Sequence, residues 1–197
     1  MKILFATSNN DKIAEARVVL GPLGHDVIKL IIDGKSPDFI EPQADDIEVI
    51  SKSKIFQSLK LISGTEFEGC AIMVEDSGLF IHELKNFPGV YSSYVSRTIG
   101  NQGIIDLLKN NPNRTAEYRA FSILYDNGKY WSSMGKCSGE ISTEICGSNG
   151  FGFDPIFIPN SGDGRTFGEM SQVEKDAKSH RGESLRILCE ELRAPSK

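Results

Sequence analysis

Four short stretches carry the side chains of this sequence that could do chemistry: 7–12, 75–78, 149–155 and 175–181. The first, TSNNDK, follows an apolar run and precedes a helical one. Backbone N–H groups at a helix start, with hydroxyl and amide side chains from Thr7, Ser8 and Asn9, form a cradle for phosphate, and Lys12 adds a positive charge. The competing reading is a helix cap made by Ser8 or Asn9 beside an exposed lysine. The Gly-x-x-x-x-Gly-Lys pattern of a Walker loop is absent.

The second stretch, EDSG, interrupts the apolar run AIMV. Burying charge is costly unless it is paired or bound to metal, so the strand either ends at the surface here or ends at a site. Successive strand residues face opposite sides, so only one of Glu75 and Asp76 can face a given cleft. A site-facing carboxylate at a strand end could hold Mg2+, which takes one or two carboxylates plus phosphate oxygens and waters, or it could orient an attacking water. Asp-Ser-Gly also suits a plain surface turn.

In NGFGFDP, the glycines let backbone approach a ligand closely. Phe151 or Phe153 could stack on a planar base, with Asp154 accepting from a ring edge or ribose. A tight turn with two core phenylalanines is the alternative. The fourth stretch places Lys175, His180 and Arg181 within seven positions, a set suited to a polyanion or the polar edge of a base. It could equally be a solvated basic run opening the last helix. His180 stands out because the chain has three histidines, and His25 and His82 lie in less suggestive places. Together these stretches point toward a nucleotide phosphate ester.

The elements that must position these side chains are set by periodicity. KILFAT reads as a buried strand, IAEARVVL as a helix stopped near Gly21, and DVIKLI as a second strand. Asp45 and Glu48 resemble a capping box before a helix carrying Ile47, Ile50, Ile55, Leu59 and Ile62 and stopped by Gly64. AIMV is the next strand and GIIDLLKNN is helical. Residues 116–142 read as a long hairpin turning at Asp126-Asn127-Gly128. PIFIP is a short strand, and SLRILCEELR is a closing amphipathic helix. Strands alternate with helices and then give way to a hairpin, which predicts an α/β fold with a mixed sheet and ligands beyond its strand ends.

The 197 residues suffice for one large domain or two lobes sharing a sheet, and no linker or repeat divides them. With 39% hydrophobic and 25% charged residues, the chain has a globular composition. A net charge of −5 argues against a nucleic-acid backbone binder. No run approaches the ~18 apolar residues that span a bilayer. The opening MKILFATSNN has too short an apolar run for a signal peptide. The four cysteines, Cys70, Cys137, Cys146 and Cys189, lack metal-type spacing and fit reduced thiols in a cytoplasmic protein.

One ordered set of motifs is more specific. Thr7-x-Asn9-x-x-Lys12, Glu75-Asp76-Ser77-Gly78-Leu79, Phe87-Pro88-Gly89-Val90-Tyr91-Ser92, Gly150 to Phe157, Glu174-Lys175 and Ser179-His180-Arg181-Gly182 occur in this order. The set resembles the inosine triphosphate pyrophosphatase family, from residue 3 to about residue 190. The resemblance implies hydrolysis of ITP, dITP or XTP to the monophosphate and pyrophosphate with Mg2+, or Mn2+ as a substitute. It also implies a single two-lobed domain over residues 1–197, an elongated mixed twisted sheet flanked by helices, an active-site cleft between lobes, and a homodimer. Carried over by motif, Thr7, Ser8, Asn9 and Lys12 hold the triphosphate, and Asp76 is the metal-linked carboxylate and proton acceptor, with Ser77 beside the substrate. Phe151, Gly152, Phe153 and Asp154 cover base and sugar, and Lys175, His180 and Arg181 contact base and phosphates. Glu41 in IEPQADD is the best match for a second metal carboxylate. Glu75 stands where many members carry Asp, Phe153 where Tyr or Trp is frequent, and Gly168 where alanine is usual. A pyrophosphatase for other modified nucleotides and a nucleotide sensor without catalysis are the rival functions. FPGVYSSYV clusters Val90, Tyr91, Tyr94 and Val95, which belong either to a dimer surface or to the core.

Overall fold

Three consecutive apolar residues, Ile3, Leu4 and Phe5, open the chain as a strand, and all three are fully buried. Burial of every position, rather than alternate ones, marks a strand covered on both faces. The computed structural model describes residues 1–193. In chain order its elements are β1 (Lys2–Phe5), α1 (Asn10–Leu20), β2 (Asp26–Lys29), α2 (Ile47–Ile62), β3 (Ala71–Ile81), β4 (Pro88–Gly89), α3 (Ser92–Thr98), α4 (Gly100–Leu107), β5 (Thr115–Asp126), β6 (Lys129–Ile141), β7 (Phe157–Pro159), α5 (Gln172–Asp176) and α6 (His180–Arg193). The sheet runs β2-β1-β3-β5-β6-β7, with β4 paired to β3. β1 is parallel to β2 and β3, while β3–β4 and β6–β7 are antiparallel, so the sheet is mixed, as expected. The β5–β6 hairpin turns on Asn127 and Gly128, both at positive φ (46° and 83°), the backbone that suits the strand twist.

The chain divides into two compact units. The first comprises Met1–Asp76, Phe121–Met134 and the described residues from Ser184 on. Its core gathers Ile3 and Phe5, Met73, Ile13 and Leu20 of α1, and Leu185 and Leu188 of α6. The helical spacing of the last two pairs is what their sequence periodicity predicted. The second comprises Ser77–Ala120 and Gly135–Glu183. Its core gathers Leu79, Ile104, Tyr118, Phe153, Phe157 and Phe167, among others.

Several expectations need correction. The strand does not end at Glu75: β3 continues through Asp76, Ser77 and Gly78 to Ile81, so 75–78 is not a loop. Asp, Ser and Gly are poor strand formers, but β4 pairs just beyond them, with Leu79 opposite Gly89 and Phe80 opposite Pro88. Gly78 is needed for that approach rather than for a turn. A Cβ there would lie 2.2 Å from the Gly89 carbonyl oxygen. Gly78→Ala is expected to cost about 1–3 kcal/mol, as overpacking does, read as a lower urea midpoint at unchanged m. The cap of α2 is Asp46, not Asp45, and its side chain accepts from the Glu48 N–H at 2.8 Å. The helix α3 was not expected, because its apolar positions are few. Within FPGVYSSYV the two readings divide: Val95 is buried, whereas Tyr91 and Tyr94 are exposed. The four cysteines are free thiols. Among the described residues no helix is long and apolar enough to cross a membrane.

Candidate active site

The loop between β1 and α1 is held by its own polar side chains. Asn9 is the N-cap of α1, and its Oδ1 accepts from the backbone N–H of Asp11 (2.7 Å) and Lys12 (3.3 Å). Thr7 Oγ1 accepts from the Asn9 N–H at 3.1 Å. The cap reading therefore describes Asn9, while Ser8 stays exposed. Lys29 of β2 ties the loop down, donating to the Ser8 carbonyl (3.1 Å) and to Asn10 Oδ1 (3.0 Å). Near the start of α1, Lys12 reaches across to β3, where its ammonium donates to the Glu75 carbonyl at 3.0 Å and lies 3.3 Å from the Glu75 carboxylate.

The strand geometry at Glu75-Asp76 separates the two carboxylates as alternation requires. The Glu75 side chain is wholly buried, whereas that of Asp76 is 18% exposed. Asp76 meets α2. Its Oδ2 accepts from Ser51 Oγ at 3.1 Å, and its Oδ1 is 2.5 Å from Lys54 Nζ. Lys54 Nζ also lies 2.7 Å from Glu41 Oε1. Glu41 and Asp76, distant in sequence, thus converge on one ammonium. Burial alone would lower the Lys54 pKa, but the adjacent Asp76 and Glu41 carboxylates outweigh it and hold the pKa above its ordinary value.

Lys54 and Ser51 escaped the motif reading. Their signal was present in the helical pattern: both fall on the buried stripe of α2 with Ile47, Ile50, Ile55 and Ile62. A lysine on such a stripe calls for a partner, because lysine is rarely buried unpaired.

In the second unit, the loop 149–155 folds around Asp154. Its buried carboxylate accepts from the Phe151 N–H and from Lys175 Nζ, both at 2.7 Å. A Cβ at Gly150 would strike Asp154 Oδ2 at 2.1 Å, so only glycine fits there. Phe151 is exposed, and two cations approach its ring: Lys175 Nζ at 4.7 Å and the Arg181 guanidinium at 5.7 Å from its centroid. Gly152 comes next, at φ 63°. Phe153 is not beside Phe151 as a second base cover; it is buried in the core with Phe157 and Phe167. Asp154 likewise serves the loop and Lys175 rather than presenting an unengaged acceptor.

Lys175 sits in α5, whose start is a capping box of Ser171 and Glu174. Arg165 donates to Glu174 at 2.6 Å, and this hydrogen bond, with those from Ser171, pulls the Glu174 carboxyl down to about 2. Glu174 is thus a cap beside the lysine. His180 and Arg181 open α6 and are buried rather than solvated. His180 stacks on Tyr118 of β5 with 4.7 Å between ring centroids and an interplanar angle of 7°. Tyr118, an alternating β5 residue with no motif around it, was not anticipated. Ser77 is half-buried on β3.

Both groups of side chains lie inside the segment that matches a known family: the model for the Ham1 family covers residues 3–191. The chain belongs to the Ham1 family. A relative from Thermococcus kodakarensis, called dITP/XTP pyrophosphatase, is 44% identical over 98% of both chains. One from Pyrococcus horikoshii with the same name is 42% identical over 98% of this chain and 97% of its own. Among solved structures, a HAM1 protein from Coxiella burnetii matches with TM-score 0.84 at 30% identity, covering 98% of each chain. The mixed sheet flanked by helices is the fold shared with these Ham1 structures.

Proposed function

We propose that this Ham1 protein is a nucleoside triphosphate pyrophosphatase acting on the non-canonical purines ITP, dITP and XTP, keeping them out of DNA and RNA. One observation of geometry carries the reading. Glu41 and Asp76 focus on a single cationic point beside β3, and Lys12, at the start of α1, is anchored on the same strand. The relatives called dITP/XTP pyrophosphatase support the choice of substrate.

The residues fit the Mg2+ that this chemistry implies, with Mn2+ as a substitute, because two carboxylates already share one cation. Among the described residues no three His, Cys, Asp or Glu side chains gather to hold a metal by themselves. Phosphate oxygens and waters would complete the shell, as is usual for Mg2+. Held by Glu41 and Asp76, the ion would offset charge on the phosphates.

In this reading Asp76 orients a water toward the α-phosphorus and takes its proton. The new P–O bond forms as the bond to the bridging oxygen breaks, and pyrophosphate leaves. Thr7, Ser8, Asn9 and Lys12 hold the phosphates, and Ser77 lies beside the substrate. Lys12 and Lys175 stabilise the charge that develops on the leaving group. Phe151 stacks on the base, with Gly152 allowing close backbone approach. Arg181, with His180, donates to the 6-oxo group that hypoxanthine and xanthine carry and adenine lacks. Phe153 and Asp154 support this loop from within. A cytoplasmic homodimer completes the proposal, and the exposed Tyr91 and Tyr94 suit such a contact surface.

The test is pyrophosphate release from ITP, XTP, dITP, ATP, GTP and TTP, each with and without Mg2+. Metal-dependent release from the first three, with the standard nucleotides much slower, is the expected result. Equal release from all six would remove the selective role, and none from any would favour the sensor.

A further inference from the structure

We propose that Lys54 is the resident counter-cation of the Glu41–Asp76 pair and makes divalent-metal binding conditional on the polyphosphate. The inference rests on reading that pair as the metal carboxylates. Lys54 projects from the buried stripe of α2, and its side chain is only 11% exposed. Its ammonium contacts both carboxylates, Glu41 at 2.7 Å and Asp76 at 2.5 Å, so it occupies the point on which they converge. Ser51, one turn earlier on the same face, holds the other oxygen of Asp76. This fixes the carboxylate toward the lysine.

The balance of charge sets the order of binding. Two carboxylates and one ammonium leave this cluster one negative charge. The neighbouring Lys12–Glu75 pair is neutral and contributes nothing to the balance. A bare divalent ion entering with Lys54 in place would leave one positive charge in excess. It would also meet an ammonium at close range, where repulsion is weakly screened. A polyphosphate brings several negative charges and removes both objections, because its oxygens satisfy metal and ammonium together. Lys54 therefore has two effects: it keeps the carboxylates paired in the empty protein, and it disfavours metal that arrives without substrate.

Binding of Mn2+ alone to the intact protein, monitored by electron paramagnetic resonance of the free ion, tests this. Lys54→Met is expected to bind Mn2+ about tenfold or more tightly than the natural protein, since one charge-assisted contact to each carboxylate no longer competes. Lys54→Arg, which keeps the charge, should bind as weakly as the natural protein. Circular dichroism checks folding, and Lys54→Gln serves the same comparison if the methionine variant misfolds. Equal Mn2+ affinity for the natural protein and the neutral variants overturns the proposal. So does a gain that survives adding Asp76→Asn to Lys54→Met, because the ion would then sit elsewhere. Failure of the nucleotide reading appears in the substrate panel on the natural protein; failure of this inference appears only in the metal titration.

Discussion

Asp76→Asn is expected to lower turnover on ITP about a thousandfold while the protein stays folded. The substitution keeps the size, removes the charge and turns one of the two acceptor oxygens into an N–H donor. In the proposed mechanism that charge orients the water, accepts its proton and helps hold the metal, and groups of this kind contribute about 10²–10⁴-fold each. The folded state should tolerate the change. Ser51 can still donate to the amide oxygen, and Lys54 retains Glu41. The Asp76 and Lys54 side chains are mostly buried, but Lys54 keeps Glu41 as a partner, so the loss should stay below the cost of leaving a buried charge unpaired, about 3–5 kcal/mol. Steady-state pyrophosphate release beside a thermal melt separates the two effects. Turnover within about threefold of the natural protein would remove Asp76 from the chemistry.

Asp154→Ala has the largest expected effect on stability. The Asp154 and Lys175 side chains are 4% and 6% exposed and meet at 2.7 Å. Removing one member leaves the other charge buried and uncompensated, which costs about 3–5 kcal/mol. The Phe151 N–H loses its acceptor at the same time. For a chain of this length, a loss of that size lowers the melting temperature by about 6–20 °C. Phe151 should also lose its fixed position, so KM for ITP should rise in the fraction that remains folded. Calorimetry of the variant decides the point. A melting temperature within about 1 °C of the natural protein would show that the pair contributes no net stability.

The two variants sample groups of unequal legibility. The order of the motifs, from Thr7 to Gly182, was written in the chain and sufficed to indicate the family. Periods of local structure were readable as well: the buried run of β1, the i, i+3, i+7 faces of α1 and α6, and the Asn-Gly turn of the hairpin. Each depends on the chemistry of neighbouring residues, and so survives without knowledge of the fold. Even the opposite facing of Glu75 and Asp76 is a consequence of strand alternation alone.

What tertiary structure decided depends on residues remote in sequence. EDSG looks like a turn locally, and becomes strand because the Gly89 carbonyl packs where Gly78 has no side chain. Phe151 and Phe153 have near-identical sequence surroundings, yet one is exposed and the other enters the core with Phe157 and Phe167. Asp154 is read from sequence as a ligand group, and the 2.7 Å approach of Lys175 makes it a buried support. Lys54 is one lysine among many until Glu41 and Asp76 are brought to its ammonium from opposite directions along the chain. A helical period can mark such a residue as buried, but only the folded chain supplies the partners that offset the cost of burying its charge.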